Sequence, residues 1–383
     1  MGRPDRIQVN ATALTSQDRD AVDGVLRSGW IGTGPECAAF EADLAAFLGA
    51  EHVICVSSCT AGLELLFDQL EIGPGDRVAV PAWTYAATAL PAVHRGADLV
   101  LVDSDPDTLA IAPESLERAM SDADVDLVIP VHLAGVPVPR TIWDLSAAHG
   151  AAVVEDAAHA FGARDEHGLL RGVGSVGAAF SFHATKNLTC GEGGAIVTSD
   201  DQLAEALRRA RLHGLDRDAW EREVSGSWRM GDVVEPGRKA NLPDLLAALG
   251  RSQLRTFSER QAIRRALVER YRQQLDGIDG LRLVPSEPHP GSADHLVMIV
   301  LPRDADRETV VGELAARGIS TGLHYTPLHR LRWFAQHATL APGGLPVCDD
   351  MADRVMTLPL HASLSLDDVD EVCATLEKCL GHA

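Results

Sequence analysis

"FSFHATKNLTCGEGGAIV", residues 180–197, places one lysine between two apolar runs and beside a cluster of glycines. Lysine is scarce in this chain, since only Lys186, Lys239 and Lys378 are found among its 34 basic residues. Arginine, which stays protonated, therefore supplies the routine surface cations, and a lysine indicates chemistry that arginine cannot perform. A solvated turn is the usual place for a lysine. The apolar "AAFSF" before Lys186 and the "GEGG" after it instead favour a desolvated amine that can attack a carbonyl.

Strand-like and helical patterns alternate on the N-terminal side of this stretch. The strand-like runs are "EHVICVSS" (51–58), "DRVAVPA" (76–82), "ADLVLVDSD" (97–105), "VDLVIPVHLAG" (125–135) and "GAAVVEDAAHAFG" (150–162). Such near-continuous Val, Ile and Leu runs, separated by helical segments, predict an α/β fold with a mostly parallel central sheet covered by helices. In sheets of this kind, ligands bind at the carboxyl ends of the strands.

Two units are expected, a large domain over 1–255 and a smaller C-terminal α+β domain over 256–383. Within the first, residues 212–241 show little periodicity, and a loop of that length in a compact protein is usually functional or disordered. Its tryptophans, Trp220 and Trp228, favour order. The second unit contains strand-like "DHLVMIVLP" and "VMTLPLHA", the helical "DRETVVGELAARGI", and a last helix opened by the capping-box spacing of Ser365 and Asp368.

Composition excludes several classes of partner. The hydrophobic content of 46% is that of a globular protein, and the net charge of −21 argues against nucleic acid or an anionic membrane. The seven cysteines are an odd number without a C-x-x-C pair, which predicts reduced thiols in a cytoplasm and no metal site. No apolar run is long enough to span a membrane, so we expect a soluble, cytoplasmic protein.

Three further pieces predict what surrounds Lys186. Asp156 ends an apolar strand, and although it could be a helix cap, pyridoxal phosphate enzymes need a carboxylate facing the pyridine nitrogen. Ser58 and Thr60, at a strand-to-helix turn, could equally be simple caps, but backbone N–H groups at a helix start form a seat for a phosphate. Trp83 follows another strand and can stack on a flat ring or fill the core.

A decoy motif lies just before the lysine stretch. "GVGSVG", residues 172–177, matches the G-x-G-x-x-G pattern of dinucleotide-binding proteins, which requires a strand before it and a helix after it. Here a polar loop precedes the motif and a strand-like run follows. We therefore predict a turn, and a nicotinamide-dependent sugar oxidoreductase is the least favoured reading.

In these residues the chain resembles the DegT/DnrJ/StrS sugar aminotransferases, which are pyridoxal phosphate-dependent enzymes of fold type I. The resemblance runs from "WIGTGPECAAFEADLAAFLGA" to "TLPLHASLS", and its most specific piece is "SFHATKNLTCGEGG" around the lysine that forms a Schiff base with the cofactor. It implies catalytic roles for Lys186 and Asp156. It also implies a set of cofactor contacts: Ser58, Cys59, Thr60, Trp83, Asp156, His159, Ser181, His183, Lys186, Lys239 and Asn241.

The resemblance implies a shared dimeric site as well. "EPGRKANLPDLLAALG" is similar to the family stretch that reaches the neighbouring subunit's cofactor phosphate, which would make residues 212–241 a dimer arm that carries Lys239 and Asn241. Arg238 and Ala240 depart from the aromatics common there. "STGLHYTPLH" is similar to a substrate-side segment with His324, Tyr325 and His329, and Arg229 is a further substrate candidate.

The implied reaction moves an amino group from an amino acid, usually glutamate in this family, to a keto group of a nucleotide-linked deoxy sugar, with C-4 favoured. Amination at C-3, a cyclitol ketone as acceptor, and a cofactor-binding regulatory protein without catalysis stay open as alternatives. A dehydratase of the same architecture carries a histidine in place of the lysine, so Lys186 argues against that reading.

Overall fold

The computed structural model describes residues 6–170, 172–217 and 219–381, apart from the side chain of residue 221. Its strands are β1 (His52–Val56), β2 (Arg77–Pro81), β3 (Asp98–Val102), β4 (Leu127–Val128), β5 (Ala152–Asp156), β6 (Arg164–Asp165), β7 (Gly168–Leu169), β8 (Gly177–Ser181), β9 (Gly194–Thr198), β10 (Arg282–Val284), β11 (Val297–Val300), β12 (Thr339–Leu340) and β13 (Val355–Leu358).

The helices are α1 (Ser16–Ser28), α2 (Pro35–Leu48), α3 (Cys59–Gln69), α4 (Ala86–Arg95), α5 (Pro113–Asp122), α6 (Thr141–Ala148), α7 (Asp201–Ala210), α8 (Ala219–Ser225), α9 (Asp244–Arg255), α10 (Phe257–Leu275), α11 (Arg307–Ala316), α12 (Phe334–His337), α13 (Pro346–Met351) and α14 (Leu366–Cys379). Two short 3-10 turns cover Leu133–Gly135 and Leu328–Arg330.

An eight-stranded sheet forms the centre of the fold, in the order β1-β9-β8-β5-β4-β2-β3-β12. β9 is antiparallel to both of its neighbours, and the other pairs are parallel, so seven strands point one way and β9 points back. Strands β1, β2, β5 and β8 therefore end at the same edge of the sheet. The prediction of an α/β fold with a mostly parallel sheet is confirmed, and that edge is where a ligand site is expected.

Burial explains why these strands read as continuous apolar runs. Val53–Val56, Val78–Pro81 and Leu99–Val102 are buried at every position, because helices cover both faces of the sheet. Helix α3 lies against β1, β5, β8 and β9, where Leu63 and Leu66 enter the core.

A three-stranded antiparallel sheet, β10-β11-β13, packs with α10, α11 and α14 into a second core. Tyr271 is fully buried there, and its hydroxyl donates to the Pro359 carbonyl at 2.8 Å. Ser365 and Asp368 form the predicted capping box at the start of α14. The predicted division near residue 255 falls between α9 and α10, yet β12 joins the large sheet, and Ile7 bridges to Ile319.

Two other expectations concern local structure. The "GVGSVG" segment forms a turn, with positive φ at Gly172 and Gly174, and leads directly into β8 with no helix after it. This confirms that it is not a dinucleotide-binding loop. Among the described residues, no helix has both the length and the apolar character needed to cross a bilayer.

Candidate active site

A cavity of about 310 Å³ opens at the edge of the large sheet where β1, β5 and β8 end. Its lining brings together residues that lie far apart in the sequence. Nine of the predicted site residues line it: Ser58, Cys59, Thr60, Asp156, His159, Ser181, His183, Lys186 and Tyr325. We call it the active-site cavity.

Lys186 is half-buried in this cavity, on the loop that follows β8. Burial lowers the pKa of its amine to about 8, because a charged amine is poorly solvated there, while Cys59 and Asp156 act in the opposite direction. Burial also raises the pKa of the Cys59 thiol well above its ordinary value, so that thiol stays neutral. Asp156 is therefore the negative charge that Lys186 experiences. With a pKa of about 8, roughly a tenth of this amine is unprotonated at pH 7, far more than for an ordinary lysine, and the unprotonated amine is the nucleophile.

Asp156 is buried at the end of β5 and is held in one orientation by its neighbours. The hydroxyl of Thr88 donates to its Oδ2 at 2.7 Å, and the backbone N–H of Ala158 donates to its Oδ1 at 3.0 Å. Thr84 supports Thr88 through a hydroxyl contact of 2.7 Å. A carboxylate fixed in this way can face a protonated ring nitrogen without rearranging.

The start of α3 forms an anion seat beside these two groups. The first N–H groups of a helix have no acceptor within that helix, and the Ser58 side chain takes only the N–H of Ala61, at 3.0 Å. Gly194 on β9 lies directly against this turn. A Cβ placed on Gly194 would come within 2.6 Å of the Phe180 carbonyl oxygen and 2.7 Å of the Cys59 nitrogen. Glycine at this position therefore lets the sheet approach the turn closely.

His159 and Tyr325 make a neutral hydrogen-bonded pair on the cavity wall. The N–H of Ala134 donates to Nδ1 of His159 at 3.3 Å, so Nε2 of the neutral ring carries the proton and faces the Tyr325 hydroxyl at 3.0 Å. Burial lowers the pKa of His159 well below its ordinary value and raises that of Tyr325. Both groups therefore act as hydrogen-bonding residues and not as charges.

The structure corrects the predicted placement of Trp83. Its side chain is fully buried in the core, its indole N–H donates to the His324 carbonyl at 3.1 Å, and it does not line the active-site cavity. Tyr85, two residues later, lines the cavity with an exposed ring, 5.4 Å from the ring of Tyr325. The sequence contained this signal, since both aromatics lie in "PAWTY", but the chain turns into α4 between them.

Other predicted residues lie outside the cavity lining of their own chain. His324 hydrogen-bonds to the Thr357 hydroxyl at 2.9 Å, and His329 contacts Asp349 at 3.0 Å. Arg229 lies over the ring of Trp228, 5.8 Å from its centre. Burial lowers the pKa of His324 to about 4, with Lys186 contributing, which keeps its ring neutral beside the cavity.

Lys239 and Asn241 also fall outside this cavity. Their side chains hydrogen-bond to one another, and the Asn241 amide donates to the Thr33 hydroxyl. Asn241 pairs through its backbone with Val56, close in sequence to the start of α3. Besides Tyr85, sequence reasoning missed Thr84, Thr185 and Glu192, which also line the cavity, because no local pattern separates these three from surface residues.

One group of potential metal ligands exists among the described residues. The group consists of Cys37, Glu41 and Cys55. Each offers one ligand atom, these three atoms lie within 4.8 Å of one another, and the group lies outside the active-site cavity. The guanidinium of Arg211 is hydrogen-bonded to Glu41 and donates to the Cys55 carbonyl at 2.8 Å. Arg211 therefore already supplies a positive charge to this group.

Comparison with known proteins identifies the family of this chain. A sequence profile of the DegT/DnrJ/EryC1/StrS aminotransferase family matches residues 12–377. The chain belongs to this family. It is a pyridoxal phosphate-dependent sugar aminotransferase, which confirms the resemblance, the fold type I architecture and the cofactor predicted from the sequence.

Three solved structures illustrate the similarity. S. venezuelae DesV, solved in complex with a ketimine intermediate, is 33% identical, with a TM-score of 0.86 over 96% of this chain and 95% of that one. The PLP form of the sugar aminotransferase Spr1654 from Streptococcus pneumoniae is 29% identical, with a TM-score of 0.88 over 98% and 99%. Helicobacter pylori PseC, an aminotransferase involved in the biosynthesis of pseudoaminic acid, is 25% identical, with a TM-score of 0.91 over 99% and 100%.

The residues of the active-site cavity fit pyridoxal phosphate. Lys186 supplies a partly unprotonated amine, Asp156 a fixed buried carboxylate, and the start of α3 a seat of N–H groups that Gly194 allows the sheet to approach. These are the amine, the ring-nitrogen partner and the phosphate seat that the cofactor requires.

The pKa of Lys186 can be measured in the cofactor-free protein by chemical labelling of its amine, followed by peptide mass spectrometry. We expect labelling to rise with pH around a midpoint of about 8, because burial favours the uncharged amine. In Asp156→Asn the midpoint should move lower, since the carboxylate that stabilises the ammonium form is gone. Asp144→Asn, a change at an exposed carboxylate, serves as the control and should leave the midpoint in place. A midpoint near the ordinary 10.5 would contradict the assignment.

The exchange of roles between Trp83 and Tyr85 can be tested with a pair of alanine variants. Tyr85→Ala should weaken pyridoxal phosphate binding by roughly 3- to 10-fold, the value of one aromatic contact, with little change in stability. Trp83→Ala should lower the free energy of unfolding by about 3–5 kcal/mol, because it removes a fully buried side chain. Absorbance titration with the cofactor and thermal unfolding measure the two effects. A reversed pattern would restore Trp83 as the cofactor contact.

Proposed function

We propose that this enzyme transfers an amino group from glutamate to the C-4 keto group of a nucleotide-linked deoxy sugar. The observation that carries the proposal is the meeting of Lys186, with a lowered pKa, and the fixed carboxylate of Asp156 in one cavity. The motif "HATKNLTC" supports the C-4 position because it resembles the corresponding motif of family members that aminate C-4. The seven unpaired cysteines support a cytoplasmic reaction.

When bound, pyridoxal phosphate supplies an electron sink that can hold the amino group between the two half-reactions. Lys186 would hold the cofactor covalently and, once released by the donor, its amine would move protons at the reacting carbons. Asp156 would pair with the ring nitrogen and keep it protonated. Ser58, Thr60 and Ser181 would bind the phosphate together with the N–H groups at the start of α3.

Hydroxyl and imidazole groups in the lining of the active-site cavity can hydrogen-bond to a sugar. The Tyr325 hydroxyl, bonded to His159, and the exposed ring of Tyr85 stand at the cavity, and neutral donors of this kind hydrogen-bond to sugar hydroxyls. His183 and Glu192 add polar groups, with His183 Nε2 and Glu192 Oε1 3.7 Å apart. Because glutamate and the keto sugar take turns in one pocket, we assign these groups to both substrates.

We also propose a homodimer with shared active sites, in which residues 212–241 form the arm. Within this segment Val224, Trp228 and Met230 are exposed at 68%, 87% and 78%, an apolar surface that a subunit interface would cover. The positions of Lys239, which is exposed, and Asn241, neither of which lines the cavity of its own chain, fit a role in the partner's site.

Replacing Lys186 tests the chemistry. Lys186→Ala should abolish amino transfer from glutamate to a panel of nucleotide-linked keto sugars, because no other side chain in the cavity can supply the amine. Borohydride treatment of the wild type with pyridoxal phosphate should leave a pyridoxyl label on the Lys186 peptide. Lys378→Ala, at an exposed lysine, is the matched control and should keep full turnover. Unchanged turnover by Lys186→Ala would contradict the proposal, and an amine found at C-3 of the product would overturn the position.

Hybrid dimers test the shared site. Lys186→Ala and Asn241→Ala should each be strongly impaired alone, yet coexpression should restore part of the activity, because one of the two sites in a mixed dimer then carries neither change. Size-exclusion chromatography with light scattering checks the oligomeric state. A mixture no more active than the separate variants would mean that each site is built from one chain.

A further inference from the structure

A second, smaller cavity of about 30 Å³ adjoins the active-site cavity, and Thr185 and Lys186 belong to the lining of both. Its other walls come from the N-terminal segment 10–13, from Gln253, from α10 and from His361 after β13. The hydroxyl of Thr12 donates to the Ala184 carbonyl at 2.7 Å and ties the N-terminal segment to the lysine loop. We call it the arginine cavity, after Arg260 and Arg264.

Polar atoms in this lining lack hydrogen-bond partners. Arg260 Nε and both ring nitrogens of His361 are buried with no partner among the described residues, and His361 is only 7% exposed. The Gln8 backbone approaches the His361 ring, but without the geometry of a hydrogen bond. Buried polar atoms are nearly always paired in folded proteins, so these atoms indicate a bound group that satisfies them.

The charges of the lining indicate the sign of that group. The guanidinium of Arg264 is buried and donates to the carbonyls of Asp294 and His295, at 3.0 and 2.6 Å. Arg260 bonds to the side-chain and backbone oxygens of Gln253. In the described part of the chain no carboxylate forms an ion pair with either arginine, and no acidic residue lines the cavity. Gln253 stands between Arg260 and Asp18, to which its amide donates at 2.8 Å.

Asp294 acts on Arg264, and Asp18 and Glu259 act on Arg260, but none of these carboxylates forms an ion pair with its arginine. A buried positive charge that is compensated only from a distance is costly, and a neutral water molecule does not supply the missing charge. A cavity needs about 10–15 Å³ for one water molecule, so 30 Å³ holds one or two species of that size. We propose that the arginine cavity binds a halide-sized monovalent anion, chloride in ordinary salt solution. The anion accepts hydrogen bonds from Arg260 Nε and the His361 ring, and it joins α10 and the N-terminal segment to the loop that carries Lys186.

Crystallography with bromide, which scatters anomalously, tests the site in the wild-type enzyme. Crystals of the cofactor-loaded protein soaked in sodium bromide should show an anomalous peak within hydrogen-bonding distance of Arg260 Nε. If bromide peaks occur on the surface and none in the arginine cavity, the proposal is overturned, because water alone then fills it. This measurement needs no variant and does not depend on the sugar reaction.

Thermal unfolding at constant ionic strength, with chloride replacing gluconate, tests the energetic link. Above the dissociation constant, each hundredfold increase in chloride should raise Tm by about 3 °C, since the anion binds the folded state. Arg260→Gln should lose this dependence. Arg255→Gln, at an exposed arginine of the neighbouring helix α9, should keep it. Equal chloride dependence in all three proteins would overturn the proposal.

Discussion

The reactivity of the Lys186 amine in the active-site cavity depends on its electrostatic interaction with Asp156. Burial removes water from the amine and brings its pKa to about 8, while the nearby carboxylate limits that fall. With deeper burial alone the amine would be uncharged at any physiological pH, and with a stronger carboxylate contact it would stay protonated and unreactive. The parallel strands make this balance possible, because β5 and β8 are neighbours whose ends deliver both groups to one edge of the sheet.

The surroundings of this pair act by restricting movement. Thr84 and Thr88 hold the Asp156 carboxylate, and the His159–Tyr325 pair adds neutral groups to the cavity lining. Close packing of β9 against the start of α3 is possible only because Gly194 has no side chain to collide with that turn. An enzyme that must bind a charged cofactor and two different substrates in turn gains from a site whose groups are fixed before any ligand arrives.

The arginine cavity adjoins the loop that carries the reacting amine. Lys186 lies between the two cavities, one containing the Asp156 carboxylate and the other lined by Arg260 and Arg264. An anion there would place negative charge on the far side of the lysine loop and join the N-terminal segment to the C-terminal unit. The part of the chain that carries the reactive amine would then be held from both of its sides.

The sequence by itself determined the parts that depend on local pattern. Continuous apolar runs predicted the buried parallel strands, Ser365 and Asp368 predicted a helix start, and the scarcity of lysine drew attention to Lys186. Each of these predictions depends on residues close together in the chain, where periodicity and capping chemistry act. The prediction that Ser58, Asp156 and Lys186 lie close together required these patterns together with the rule that parallel strands end at one edge of the sheet.

Only the tertiary structure decided which side chains face the cavity. Trp83 and Tyr85 are equivalent in sequence terms, yet the turn into α4 buries one and exposes the other. His329 and Arg229 were predicted near the substrate, but contacts with Asp349 and Trp228 place them elsewhere in their own chain. The arginine cavity unites residues 10–13, 260, 264 and 361, which share no motif. The whole fold determines side-chain direction and long-range packing, so a local sequence pattern does not predict them.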